Sequence, residues 1–198
     1  MGRFVMRSST KDRILHAAEE IILTKSFHSV GLNEILSAVK VPKGSFYHYF
    51  PSKEQFGVQL LKHYLEEHTA RLRKFFAEPG ATALEKLSSS WNYVISRVTE
   101  GDCGVNCLVS KLSMEVTSFS EPMREVLADG LARWRRIYAE VIREGHRDRS
   151  IRSEIDAEEA AALIQDFWQG AMQRMQIERS VTPLRQAARF LRSHLAKR

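Results

Sequence analysis

Ten consecutive residues carry the densest chemistry in this chain: Val41-Pro42-Lys43-Gly44-Ser45-Phe46-Tyr47-His48-Tyr49-Phe50, with Ser52-Lys53-Glu54 close behind. Lys43 offers a cation to a phosphate or a guanine edge. Gly44 allows close backbone approach to a polyanion, and Ser45 is a compact donor and acceptor. Tyr47 and His48 are polar-tipped rings placed on a solvent side. Phe46, Tyr49 and Phe50 fall at i, i+3 and i+4, the spacing that anchors one helical face on a core. Lys53 lies in the first turn of the next helix, where its ammonium and the free backbone N–H groups can clamp a phosphate. Arg3, Arg7 and Lys11 add cations upstream. Such a set suits the edges and backbone of duplex DNA. It holds no nucleophile with a base to activate it.

A second group centres on sulfur. Cys107 opens a short helical stretch with Lys111 one turn on, where the helix dipole and a cation favour the thiolate. That reads as a sensor for an electrophile or an oxidant, set against the plainer alternative of a small buried residue. Cys103, four residues earlier, is a loop residue or a partner for Cys107. No histidine pair with ligand spacing lies near them, and His63 and His68, five apart, fall on different faces of one helix. No metal ligand is therefore assigned. The chain lacks His-Glu-x-x-His, Gly-x-Ser-x-Gly, a phosphate loop and a dinucleotide fingerprint, so neither an enzyme nor a cofactor is expected. Trp91, Tyr93, Phe119, Trp134, Tyr138, Phe167 and Trp168, with Met114, Met172 and Met175, read mainly as core. A minority, Trp168 among them, is expected to line a small-molecule site between helices.

The elements that must hold these groups are helical throughout. Ile14, Ala17, Ala18, Ile21 and Ile22 mark one face of a helix over 10–25, capped by Ser9 or Thr10. Leu32, Ile35, Leu36 and Val39 mark a short helix over 32–39, which Pro42 separates from a very short one over 42–49. Ser52 caps a long helix over 53–77, ended by Pro79-Gly80. Five more follow, over 82–99, 106–116, from Ser120 to 144 with Pro122 in the first turn, over 156–179 from an Asp156/Glu159 capping box, and from 182. Residues 145–153 read as a polar connection. There is no alternating strand pattern, so the class is all-α with about nine helices. A short helix, a tight turn and a second short helix between longer ones form a helix-turn-helix, whose second helix enters the major groove. The domains follow: 1–52, the helix-turn-helix for DNA, and 53–198, a second helical domain joined to it by the long helix over 53–77.

Composition narrows the class further. The 198 residues are 43% apolar and 27% charged, with ten Gly, five Pro and two Cys. That is enough to build a core and too little cysteine for a disulfide scaffold. Of the net charge of +6, residues 1–74 carry +5, from 12 basic against 7 acidic side chains. The asymmetry points to a polyanion-binding module joined to a nearly neutral partner domain. No apolar run is long enough for a membrane span, and 1–7 is too short for a secretory signal core, so a cytoplasmic location is expected. The alternative reading is a helical small-molecule-binding protein or enzyme whose basic N-terminus is incidental.

The block from Val41 to Phe50 with Ser52-Lys53-Glu54, preceded by the helices over 14–27 and 30–38, resembles the DNA-binding signature of the tetracycline-repressor (TetR-type) family of bacterial transcription regulators. The resemblance implies a homodimeric repressor with an N-terminal DNA-binding domain. It further implies a palindromic operator, a small-molecule effector that releases it, effector binding and dimerisation in 53–198, and a dimer interface from the last two long helices. One departure is Ser26, where the family usually has a glycine ending the first helix; a left-handed Ser costs about 1 kcal/mol. The stretch from Gly104 to Val116 and Phe167-Trp168-Gln169-Gly170-Ala171 resemble the branch holding the repressor of N-ethylmaleimide reductase and the acrylate-responsive repressor. That likeness makes Cys107 the sensor position. It also puts Gln176 where the first of those has the cysteine's partner lysine, so alkylating electrophiles or unsaturated acids are expected rather than hypochlorite-like oxidants.

Overall fold

The computed structural model describes residues 9–99 and 107–197; Arg3, Arg7, Cys103 and Gly104 lie outside them. The described residues form nine helices: α1 (Thr10–Thr24), α2 (Leu32–Val39), α3 (Lys43–Tyr49), α4 (Lys53–Phe76), α5 (Ala83–Thr99), α6 (Leu108–Val116), α7 (Glu121–Asp148), α8 (Ala157–Glu178) and α9 (Thr182–Leu195). Side-chain caps set the starts of α1, α4, α7 and α8. The hydroxyl of Ser9 accepts from Asp12 N–H while the Asp12 carboxylate accepts from Ser9 N–H, a reciprocal capping box. Ser52, Ser120 and Asp156 accept from Gln55, Met123 and Glu159 N–H, and Pro122 and Pro183 occupy first turns.

Two expectations about helix ends change. The first helix leaves through Lys25 in an extended conformation (φ −121). Among the described residues the left-handed ones outside glycine are Lys40, Arg149 and Arg179, and Ser26 is not one of them. Serine in place of glycine therefore carries no strain here. Helix α7 continues past Gly145, expected to begin a loop, as far as Asp148. The missing Cβ at Gly145 is used for packing: an alanine there would meet Ile151 side-chain atoms at 2.5 Å.

Helices α1–α3 fold around Ile14, Ala18, Ile22, Ile35, Leu36, Phe46 and Phe50, which share one continuous apolar cluster with α4, α6, α7 and α8. Helices α4 and α7 lie side by side in the same direction. Ser120 Oγ donates to Glu54 Oε1 at 2.7 Å, Gly57 faces Met123 and Gly130 faces Leu65. Trp134 Nε1 donates to Thr69 Oγ1, and the Phe76 and Tyr138 rings are 5.8 Å apart. Helix α8 packs on α7 and α9, and α9 on α5. At the end of α4 away from α1–α3, residues 148–152 tie three elements. Asp148 and Ser150 accept from Ala83 and Leu84 N–H at the start of α5, and Arg152 N–H and Lys197 N–H bond to Leu195 O and Ser150 O. No described helix is long and apolar enough to cross a membrane.

Candidate DNA interface and effector region

Helix α2 ends at Lys40 in the left-handed region (φ 54), its N–H closing on Leu36 and Ser37 carbonyls. This makes the tight turn that redirects the chain into Pro42 and α3. Phe46 and Phe50 are buried against Phe56, with ring centroids 5.0–5.3 Å apart. That aromatic knot pins one side of α3 and turns Lys43, Gly44, Tyr47 and His48 outward, all exposed, with Ser45 half-buried. Tyr49, expected to anchor the helix with the two phenylalanines, stands at the rim with 36% of its surface exposed. The space around Gly44 is open to 4 Å from where a side chain would begin, which leaves room for a sugar-phosphate backbone.

Lys53 is placed differently from its neighbours. Its Nζ donates to His28 O and Val30 O at 2.9 and 3.0 Å and lies 5.4 Å from the Phe27 ring centroid. The ammonium thus fastens the α1–α2 loop, and only its remaining donor capacity is open to a phosphate. Lys11 likewise reaches Gln59 Oε1 on α4 at 3.1 Å.

Helix α6 begins at Cys107, which is half-buried and packs against both the main cluster and a smaller one built from Ala171, Met172, Met175, Leu184 and Ala187. Trp168 also touches both clusters and stacks on Trp91 at 6.4 Å. The buried indole N–H of Trp91 has no hydrogen-bond partner. Tyr64 donates its hydroxyl to the Cys107 sulfur at 3.7 Å. Burial, reinforced by the sulfur, raises the Tyr64 phenol well above its ordinary value and pushes Tyr138 up to about 12. Both phenols therefore remain protonated donors. Met172 and Met175 are buried as expected, whereas Met114, Tyr93 and Phe119 are exposed.

Lys111, read as a cation beside Cys107, sends its ammonium to Leu23 O at the end of α1, at 2.8 Å. One turn further, the Glu115 carboxylate accepts from Phe27 N–H at 3.0 Å and His28 N–H at 2.7 Å. Helix α6 thus starts beside Trp168 and the smaller apolar cluster and ends by gripping the loop between α1 and α2. Sequence reasoning passed over Glu115, because its partners lie 88 and 87 residues away and no local pattern marks them.

Residues 14–57 match the family described as Bacterial regulatory proteins, tetR family, and residues 83–191 match Tetracyclin repressor-like, C-terminal domain. The chain is 28% identical to the HTH-type transcriptional repressor NemR of Escherichia coli (strain K12), over 94% of each chain. It is 29% identical to the transcriptional regulator AcuR of Cereibacter sphaeroides, over 93% of this chain and 84% of that one. The crystal structure of reduced E. coli NemR overlays on it with a TM-score of 0.87 at 28% identity, covering 96% of this chain and 98% of that one. With one matched segment spanning the helix-turn-helix and the other more than half of the chain, the protein belongs to the tetR family of bacterial regulatory proteins, transcription regulators rather than enzymes.

Proposed function

We propose that the protein is a repressor that binds a palindromic operator as a homodimer, through Lys43, Gly44, Ser45, Tyr47 and His48 of each α3, with Lys53 beside them. A small-molecule effector acting in the Cys107–Trp168 region releases it. The observation that carries this reading is the outward presentation of Lys43, Gly44, Tyr47 and His48 on a helix whose Phe46 and Phe50 are locked inward. Residues 1–52 serve as the reader, and 53–198 as the effector and dimerisation domain. Leu163, Phe167 and Phe190 on α8 and α9 are exposed, and the last two rings stack at 4.9 Å. These two helices from each protomer form a four-helix interface, and its two-fold axis matches two half-sites about one DNA turn apart.

The Trp91 donor without a partner and the half-buried Cys107 support two modes of effector binding, polar and covalent. In the covalent mode the thiol adds across an activated carbon–carbon double bond. A carbon–sulfur bond forms and the proton passes to the neighbouring carbon. The adduct adds bulk at the start of α6, whose other end holds the reader loop. Gln176, on the exposed side of α8, brings no cation to that chemistry.

The test is a gel shift against the DNA flanking the protein's own gene, followed by treatment with an alkylating electrophile, in wild type, Cys107→Ser and Cys103→Ser. Retarded DNA that is released in wild type and Cys103→Ser, and retained in Cys107→Ser, is the expected pattern. Release that persists in Cys107→Ser would assign the response to a non-covalent ligand. In the same assay Lys53→Ala flattens the salt dependence by about one unit if its ammonium meets a phosphate.

A further inference from the structure

Three side chains away from the recognition helix and from Cys107 converge where α1 crosses α4. His16 comes from the exposed side of α1, and His63 and Glu67 come from one face of α4, one turn apart. Glu67 Oε1 lies 3.7 Å from His16 Nε2 and 3.5 Å from His63 Nε2, and one ligand atom from each residue falls within 4.8 Å of the others. The two imidazoles meet edge to face at 4.8 Å. His63 Nε2 is a buried atom that makes no hydrogen bond.

We propose that His16, His63 and Glu67 form a binding site for a divalent transition-metal cation of the zinc class, bridging α1 of the reader to α4. Bonds of about 2.0–2.1 Å to nitrogen and oxygen in a tetrahedron require ligand atoms about 3.3–3.5 Å apart. The two nitrogen–oxygen separations are already close to that, and small rotations about the exposed His16 side chain bring in the third. Two imidazoles and one carboxylate select zinc-like ions over calcium or magnesium, which favour oxygen. Water completes the shell. Charge favours a cation as well: Glu19, one turn along α1 from His16, is close enough to Glu67 for the two carboxylates to repel, with Arg71 as the opposing positive group. Sequence spacing hides the site, because the histidine pair that matters is split between two helices 47 positions apart. A bound cation would bolt the first reader helix to the long helix behind it, making the setting of the reader depend on metal supply.

The experiment titrates full-length, tag-free, chelator-stripped protein with Zn(II) at about pH 7.5, since metal binding competes with protons for its ligands. A thiol-free reductant is present, and Co(II) serves as the spectroscopic probe. One metal per chain is expected, with the Co(II) bands of a four-coordinate nitrogen and oxygen site and no thiolate charge-transfer band. His16→Ala and Glu67→Gln should each weaken binding by roughly tenfold or more, while Cys107→Ser leaves it unchanged. His16 is exposed, so its removal opens no cavity, and circular dichroism confirms the fold of each variant. Binding unchanged in both His16→Ala and Glu67→Gln, a thiolate band, or no stoichiometric uptake by the wild type would overturn the proposal.

Discussion

Replacing Glu115 removes two hydrogen bonds that join α6 to the reader. Its carboxylate accepts from Phe27 N–H at 3.0 Å, partly buried, and from His28 N–H at 2.7 Å, exposed. Charge-assisted bonds are worth more than neutral ones, but exposure returns part of that to water, leaving about 1 kcal/mol each and about 2 kcal/mol together. For a domain of this size Glu115→Ala should lower Tm by about 4–8 °C, measured at one fixed protein concentration because the Tm of any oligomer depends on it. Glu115→Gln keeps one acceptor oxygen without the charge and should lose about half as much. The same 2 kcal/mol is a factor of about 30 in an equilibrium constant. An effector that works through α6 should therefore lose up to that much of its leverage on operator affinity in Glu115→Ala. A Tm within about a degree of wild type, or an effector response of full size, would refute the view of α6 as the coupling element.

Burial, helped by Arg71, pushes His68 down to about 4 from an ordinary value of 6.5. The folded protein therefore holds this ring neutral while the unfolded chain protonates it. Stability attributable to His68 is full above pH 6.5 and falls by about 1.4 kcal/mol per unit down to about pH 4, roughly 3 kcal/mol in all. Urea denaturation across that window should show a steeper fall in wild type than in His68→Gln, and parallel curves would exclude it. Gly130→Ala drives a methyl to within 2.5 Å of Leu65 and should cost about 1–3 kcal/mol by separating α4 from α7; chemical denaturation at unchanged stability would contradict the close approach. Phe190→Glu places a charge in the exposed aromatic pair on α8 and α9. Sedimentation should then give monomers with lost operator affinity, and a persisting dimer would move the interface elsewhere.

The helix order was legible because its punctuation is local. Ser9, Ser52, Ser120 and Asp156 cap the helices they precede, and Pro42, Pro122 and Pro183 sit where a missing N–H costs nothing. The reader was legible for the same reason: its inward and outward residues alternate within ten positions. Reading was incomplete where one residue type serves two physical purposes. Gly145 is a helix breaker by propensity, yet here it is the place where Ile151 closes on α7. Lys53 is a phosphate clamp by position, yet its Nζ is held by two backbone carbonyls. Contacts between distant segments left no trace at all. Lys111 and Glu115 meet α1 and its following loop across nearly ninety residues, and the grouping of His16 with His63 and Glu67 exists only once α1 lies across α4.

The stitching of residues 148–152 to the start of α5 and the end of α9 has a mechanical consequence. It lies one length of α4 from the reader, about 36 Å for 24 helical residues, and it clamps the far end of α9 in place. Were that end the fulcrum of a switch, the paired helices α4 and α7 would be its arm. A turn of about 5° around it sweeps the reader through about 3 Å. In a two-fold dimer the two arms swing in mirrored senses, so the readers change separation by up to twice that. The groove they must enter repeats only every 34–36 Å, and a mismatch of that size takes both recognition helices out of phase at once. For the homodimer proposed above, such a swing would release DNA without separating the protomers.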